Sequence, residues 1–237
     1  MVRNLPKLGT LKASTMHYLH TEHCSLYLPS ILSFMGVTER KEREKTEMRE
    51  LITAAAMKMF LEDGYAKTSI RGIADAIEYS PGTIYLYFKD KDELLYEVQA
   101  DAYGRLLEVF QKEATSIDPL KKLNQLARAY INFGLNNPEL YDLMFIIRAP
   151  MNVDEELHKV NGANCLNFLI NCLTDCISKD LLRMNDVQQA TLQIWSTVHG
   201  LVSLNLRCRL KIMVESEEAV PQVLIKTMED YLAAVTK

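Results

Sequence analysis

Between Thr68 and Leu95 the chain carries three helix starts in close succession, and no other stretch restricts the fold as tightly. Thr68 or Ser69 can cap the first, its side-chain oxygen accepting a backbone N–H that a helix end leaves unpaired. Ile70, Ile73, Ala74 and Ile77 follow at the i, i+3, i+4, i+7 spacing of one buried face. Glu78, Tyr79 and Ser80 interrupt that pattern. Ser80 then caps a second start, with Pro81 at the first helical position, where its missing N–H costs nothing. Gly82 and Thr83 keep the new turn slim, Ile84 and Phe88 point inward, and Thr83, Tyr85 and Tyr87 are left facing elsewhere. Asp90 with Glu93 reads as a capping box opening a third helix. Two short helices joined by a tight turn make a helix-turn-helix, the device that presents one short helix to the major groove of DNA. A two-helix corner of any all-α protein can carry the same caps, so capping alone leaves both readings open.

The residues themselves go further. Thr68-Ser69-Ile70-Arg71, Ile73-Ala74, Ser80-Pro81-Gly82-Thr83-Ile84-Tyr85, Tyr87-Phe88-Lys89, Lys91 and Glu93-Leu94 closely resemble the DNA-binding domain of the tetracycline-repressor (TetR) family. The preceding helix fits as well. Met48, Leu51, Ile52, Ala55, Ala56, Met59 and Phe60 repeat at helical spacing, and Asp63-Gly64-Tyr65 ends the run with a glycine at the expected stop. Far downstream, Trp195, His199 and Gly200 resemble the Trp-x3-His-Gly signature of one C-terminal subclass of that family, called WHG. The resemblance implies that Arg71, Ser80, Gly82, Thr83, Tyr85 and Tyr87 meet an operator, that Lys91 touches phosphate, and that Thr68 orients the motif. Leu86 occupies a position suited to apolar base contact. The guanidinium fork of Arg71 can grip a base edge or a phosphate.

Length and composition suit a helical regulator. A chain of 237 residues, 48% apolar and 24% charged, can bury a sizeable core, and its 9 Gly and 7 Pro favour helices over strands. No apolar run approaches the roughly 20 residues that span a bilayer, so no membrane partner is expected. Five cysteines, an odd number without zinc-finger spacing, point to reduced thiols in a cytoplasm. A net charge of −4 argues against a general nucleic-acid coat. Specific binding then needs a local patch. Lys41, Lys45 and Arg49, four apart on one helical face, offer one, although a solvated face explains them equally well.

Residues 1–37 read as a disordered extension or an upstream start, since Met1 to Phe34 show no sustained helical period and Pro29 breaks the apolar run. His17, His20, His23 and Cys24 look metal-like, but their spacing matches no closed site. Residues 38–95 form the expected helix-turn-helix domain, and 96–237 a helical effector-binding and dimerisation domain. Within the latter, helices are expected from Leu94 through Val109, from Asp118 to Asn137, from Pro138 to near Arg148–Pro150, from Glu155 to Ser178, from Asp186 to Arg207 and from Pro221 to Val235. The fold class is therefore all-α.

Two features of the second domain bear on function. Tyr103, Phe110, Phe133, Tyr141, Met144, Phe145, Phe168 and Trp195, with Tyr130, can line a cavity for a small apolar or aromatic effector, with His199 as a polar anchor. Plain core packing is the alternative, and for His199 a hydrogen-bonded packing role. The helix around Trp195 is apolar on two sides, which calls for burial on two sides. Val202, Leu206, Leu224, Met228 and Tyr231 are the candidate contacts to a second copy, because in the resembled family the last two helices form the dimer interface. Cys165, Cys172 and Cys176 share one stripe and raise a redox- or metal-responsive alternative, and a helical scaffold without DNA binding would share the composition. No phosphate-binding glycine loop, His-Glu-x-x-His, nucleophile elbow or apolar carboxylate pair appears, and Asp154, Glu155 and Glu156 read as acids near a helix start. The expectation is a non-enzymatic, cofactor-free homodimer that binds double-stranded operator DNA and answers to an unidentified small molecule.

Overall fold

Gly64 closes the first helix at a φ of +83°, a left-handed conformation that glycine reaches without strain, and the chain turns there into the capped segment. The computed structural model describes residues 30–147, 162–214 and 216–237, with side chains from residue 36 onward. The first helix, α1, spans Ser30–Glu62. It therefore includes Ser30–Phe34, part of the stretch expected to be non-helical. His17, His20, His23 and Cys24, Arg148–Pro150 and Asp154–Glu156 lie outside the described residues.

The chain divides into two compact units, Met1–Glu44 and Lys45–Lys237. In the first, the described backbone is the opening of α1, with an Arg40–Glu44 ion pair one turn apart at 2.9 Å. The remaining described helices belong to the second: α2 (Ile70–Ala76), α3 (Pro81–Tyr85), α4 (Lys91–Glu113), α5 (Pro119–Asn136), α6 (Pro138–Phe145), α7 (Ala163–Ser178), α8 (Val187–Leu206) and α9 (Val220–Val235). Short 3-10 turns at Arg209–Ile212 and Glu217–Ala219 join the last two. The described residues contain no strand, only an isolated bridge between Leu182 and Thr236. None of their helices is long and apolar enough to cross a membrane.

The helix starts follow from local chemistry. Ser69, rather than Thr68, caps α2, its hydroxyl accepting from the Gly72 N–H at 3.1 Å. Thr68 is instead 3% exposed and donates inward to the carbonyls of Gly64 and Met59. Asp90, Asp118 and Asp186 cap α4, α5 and α8 in the same way. The box at Asp90 closes one residue early, because Glu93 reaches the Lys89 N–H.

The helix α5 is the hub of the larger packing and touches α4, α6, α7, α8 and α9. Its buried stripe includes Leu123, Leu126, Ala127, Tyr130, Ile131 and Phe133. On α8 the buried residues are Ala190, Thr191, Ile194, Val198 and Val202. This corrects the expected partner-facing set. Val202, Leu224 and Met228 lie in the chain's own core, while Leu206 and Tyr231 are half-buried. A helix with two apolar stripes does not reveal which one its own subunit takes, and here α5 and α9 cover the stripe through Val202. The large apolar side chains left exposed are Leu192, Trp195 and Leu204 on α8 and Val223 on α9.

An exposed short helix and an aromatic cavity

The turn between α2 and α3 is built by backbone hydrogen bonds. Tyr79 N–H returns to the Ala74 carbonyl at 2.9 Å and Glu78 N–H to that of Asp75 at 3.2 Å, the paired closure of a Schellman motif. Glu78 takes the left-handed position at φ +60°, where glycine is more usual. Beyond the turn Ser80 caps α3, accepting from the Thr83 N–H at 3.2 Å, and its hydroxyl also lies 3.0 Å from that of Thr83. Ile84 and Phe88 anchor the short helix in the core. Its outer surface presents Tyr85, 57% exposed, and Leu86, 80% exposed. Ser80, Gly82 and Arg71 are exposed, and Thr83 and Tyr87 are half-buried. A β-carbon placed at Gly82 would meet only the Ser80 hydroxyl, at 3.6 Å, so this turn stands clear of the fold.

Two expected DNA-contacting cations are engaged elsewhere. Lys91 donates to the carbonyls of Tyr65 at 2.9 Å and Thr68 at 3.0 Å, and sits over the Tyr65 ring. That ties the start of α4 to the loop before α2. Arg49 donates to the Tyr87 carbonyl at 2.8 Å and to Glu97 at 2.5 Å, with its guanidinium over the Phe88 ring. Sequence spacing left Arg49 open between a DNA-facing patch and a solvated face, because its partners lie far along the chain. It bridges α1, the end of the α3 segment and α4.

Behind this region α4 runs without interruption to a cavity of about 240 Å³. Tyr103, Leu106 and Phe110 of α4, Leu123, Leu126, Ala127 and Tyr130 of α5, and Phe145 of α6 form part of its wall. The rest comes from Gly162, Ala163, Cys165, Leu166, Asn167 and Leu169 at the start of α7 and from Ile194, Trp195 and Val198 of α8. Gly162 is doubly required: its φ is +77°, and a β-carbon there would stand 3.0 Å from the Tyr103 ring. Of the expected lining set, Tyr103, Phe110, Phe145 and Trp195 reach the cavity. Phe133, Tyr141, Met144, Phe168 and His199 do not line it. They belong to the same apolar core by composition, but helix rotation turns them to other neighbours. The sequence missed the aliphatic share of the wall, whose spacing matches any core stripe.

The cavity wall is tied to its surroundings by buried hydrogen bonds. Gln99 donates to the Leu143 carbonyl at 2.8 Å and Tyr103 to the Met144 carbonyl at 3.1 Å, satisfying carbonyls that the end of α6 leaves unpaired. A glutamine within the apolar run of α4 was the legible sign of this clasp. The Tyr141 hydroxyl lies 2.7 Å from His199 Nδ1, and the Tyr130 hydroxyl lies 3.1 Å from both. Burial pushes the tyrosine hydroxyls up, that of Tyr103 to about 12, and pushes His199 down, so all of these groups are neutral. Cys165, Cys172 and Cys176 are buried. Burial raises the Cys165 thiol to about 11, and the bond to Cys176 and burial raise that of Cys172. The same bond from Cys172 lowers the Cys176 thiol. Among the described residues no three His, Cys, Asp or Glu side chains are placed to hold a metal ion.

Two family profiles match the chain. One, described as bacterial regulatory proteins of the tetR family, covers residues 52–98. The other, described as the tetracyclin repressor-like C-terminal domain, covers residues 123–228. The WHG reading rests on Trp195, His199 and Gly200 alone. An uncharacterized HTH-type transcriptional regulator of Haemophilus influenzae is 28% identical over 97 residues, 40% of this chain and 52% of that protein. The fatty acid metabolism regulator protein of Bacillus subtilis is 24% identical over 156 residues, 64% of this chain and 80% of that protein. This chain thus spans about half the length of the first and four fifths of the second. A solved structure of the fatty acid degradation regulator FadR from Bacillus halodurans superposes with a TM-score of 0.60 at 22% identity, covering 77% of this chain and 96% of that one, a likeness of fold.

Proposed function

The chain belongs to the tetracycline-repressor family of bacterial regulators, and we propose that it is a homodimeric transcriptional repressor whose grip on a palindromic operator is released by a small molecule. Residues 38–95 act as the DNA-reading domain and 96–237 as the effector and dimerisation domain. One observation carries this reading: Tyr85 and Leu86 stand exposed on a five-residue helix that Ile84 and Phe88 lock to the core. An exposed tyrosine and leucine on so short and rigid a projection suit a groove better than open solvent. Arg71, Ser80, Gly82, Thr83, Tyr85, Leu86 and Tyr87 form the contacting set. Thr68 and Lys91 hold that set in place from behind rather than touching DNA.

The outward faces of α8 and α9, carrying Leu204 and Val223, pair two copies and set the spacing of the two reading helices. Two-fold symmetry then demands half-sites about one helical turn, or a multiple of it, apart. An effector that prefers one spacing shifts the population toward it. Because α4 begins beside the reading helix and ends in the cavity wall, it carries that preference to the DNA. The protein acts in the cytoplasm and performs no chemistry of its own.

The test uses DNA selected from a random duplex library by the wild-type chain. In gel-shift titrations, Tyr85→Ala with Tyr87→Ala lowers affinity at least about a hundredfold, as the loss of two groove contacts requires. Helical content and dimer mass stay unchanged. Wild-type binding weakens steeply with salt, since phosphate contacts release counterions. Undiminished affinity of the double variant would remove α3 from the interface.

A further inference from the structure

Successive residues at the end of α6 are fastened to two different helices. The Tyr141 hydroxyl lies 2.7 Å from His199 Nδ1 on α8, and the Asp142 carboxylate accepts from Arg207, the residue that ends α8, at 2.7 Å. Toward α4, the Leu143 carbonyl accepts from Gln99 and the Met144 carbonyl from Tyr103. Phe145 then sets its ring edge-on to those of Tyr103 and His199, each with its centroid 5.5 Å away.

The bonds to α4 fix a register. Gln99 and Tyr103 stand one turn apart on one face of α4. Leu143 and Met144 supply adjacent carbonyls of the kind a helix end leaves without an intrahelical partner. Gln99 is 4% exposed, so a slide of α4 along α6 would strip a buried amide and two carbonyls of their partners at once. The helix α5 also touches α4 and α8, but through a largely apolar stripe. Apolar contact is non-directional, whereas a hydrogen bond weakens steeply once its angle is lost.

We propose that the last turn of α6, from Tyr141 to Phe145, is the joint that couples α8 to α4, with Gln99 and Tyr103 as the positioning residues that set where α4 stands. The inference deepens the proposed function and rests on it. There α8 carries a face offered to a second copy, and α4 begins beside the reading helix; the end of α6 makes a shift of one a shift of the other. Tyr103 has a second part, since its ring lines the cavity while its hydroxyl holds Met144. An occupant that turns this ring loosens the joint at Tyr103 and leaves it held at Gln99.

Coupling is reciprocal, so DNA bound at α3 must be felt at α8. Trp195, the only tryptophan of the chain, lies on α8 one turn before His199, with ring centroids 6.4 Å apart, and its fluorescence reports that contact without a label. The full-length chain is saturated with the duplex that the wild type selects, and emission is excited beyond the DNA absorption band. Wild-type emission shifts on binding. Gln99→Met with Tyr103→Phe still binds the duplex, at a lowered thermal midpoint, and its emission no longer responds. Tyr103→Phe alone removes a single oxygen and loses part of the shift; should the double variant fail to fold, this one decides. A full shift in either folded variant overturns the proposal, because a role in stability alone lowers the midpoint and leaves the optical response in place. A wild type whose emission ignores bound DNA overturns it equally. If the wild type selects no duplex, DNA reading itself fails, and this inference falls with it.

Discussion

His199 shows how one side chain admits two readings that only its neighbours separate. A lone histidine beside a tryptophan reads as a ligand anchor or as a hydrogen-bonded packing histidine; here its ring faces two tyrosine hydroxyls and is held neutral by burial below its ordinary value of 6.5. The sign of the consequence follows. The unfolded chain takes up a proton that the folded one resists, so stability is full above about pH 6.5 and declines as pH falls below it. The thermal midpoint of the wild type therefore drops from about pH 7 to about pH 5, and His199→Gln flattens that slope. An unchanged slope would mean that the triangle tolerates an imidazolium. Thr68 and Ser69 are both candidates for one cap: Ser69 takes it, and the Thr68 hydroxyl turns inward to the Gly64 carbonyl.

At the level of elements, the informative joint is between α1, the α3 segment and α4. Arg49 binds the Tyr87 carbonyl and Glu97 at once, so a displacement of α4 reaches the reading helix through one guanidinium. Hydrogen bonds to charged groups that act as a unit are not additive. Arg49→Ala and Glu97→Ala each weaken binding to the selected DNA about tenfold, and the double variant is no worse than either alone. Additive losses in gel-shift titrations would make them independent surface charges. The helices themselves were legible in the sequence, because serine, aspartate and proline at their starts act over three or four residues. The length of α1 was not, since the stretch ahead of Met35 has no sustained apolar period to mark a helix opening at Ser30.

For the molecule as a whole, the question is which surface remains for a second copy. The seam through Val202 is closed by the chain's own α5 and α9, so Val202→Asp unfolds the protein instead of separating a dimer. Leu204, 47% exposed, and Val223, 39% exposed, are apolar side chains available on the helices at the α8–α9 end, beside Ile212 and Met213 of the connection. Leu204→Arg with Val223→Arg gives a folded monomer by sedimentation; a persisting dimer would place the interface elsewhere. The all-α class, the order of helices and the short helix after Ser80-Pro81 were determined by the sequence by itself, because caps, turns and apolar periods are local interactions. Only the tertiary structure decided which stripe of α8 is core, which aromatics reach the cavity, and that Arg49 and Lys91 are engaged inside. Each of those outcomes turns on a partner tens of residues away, and a periodic pattern names a face without naming what will cover it.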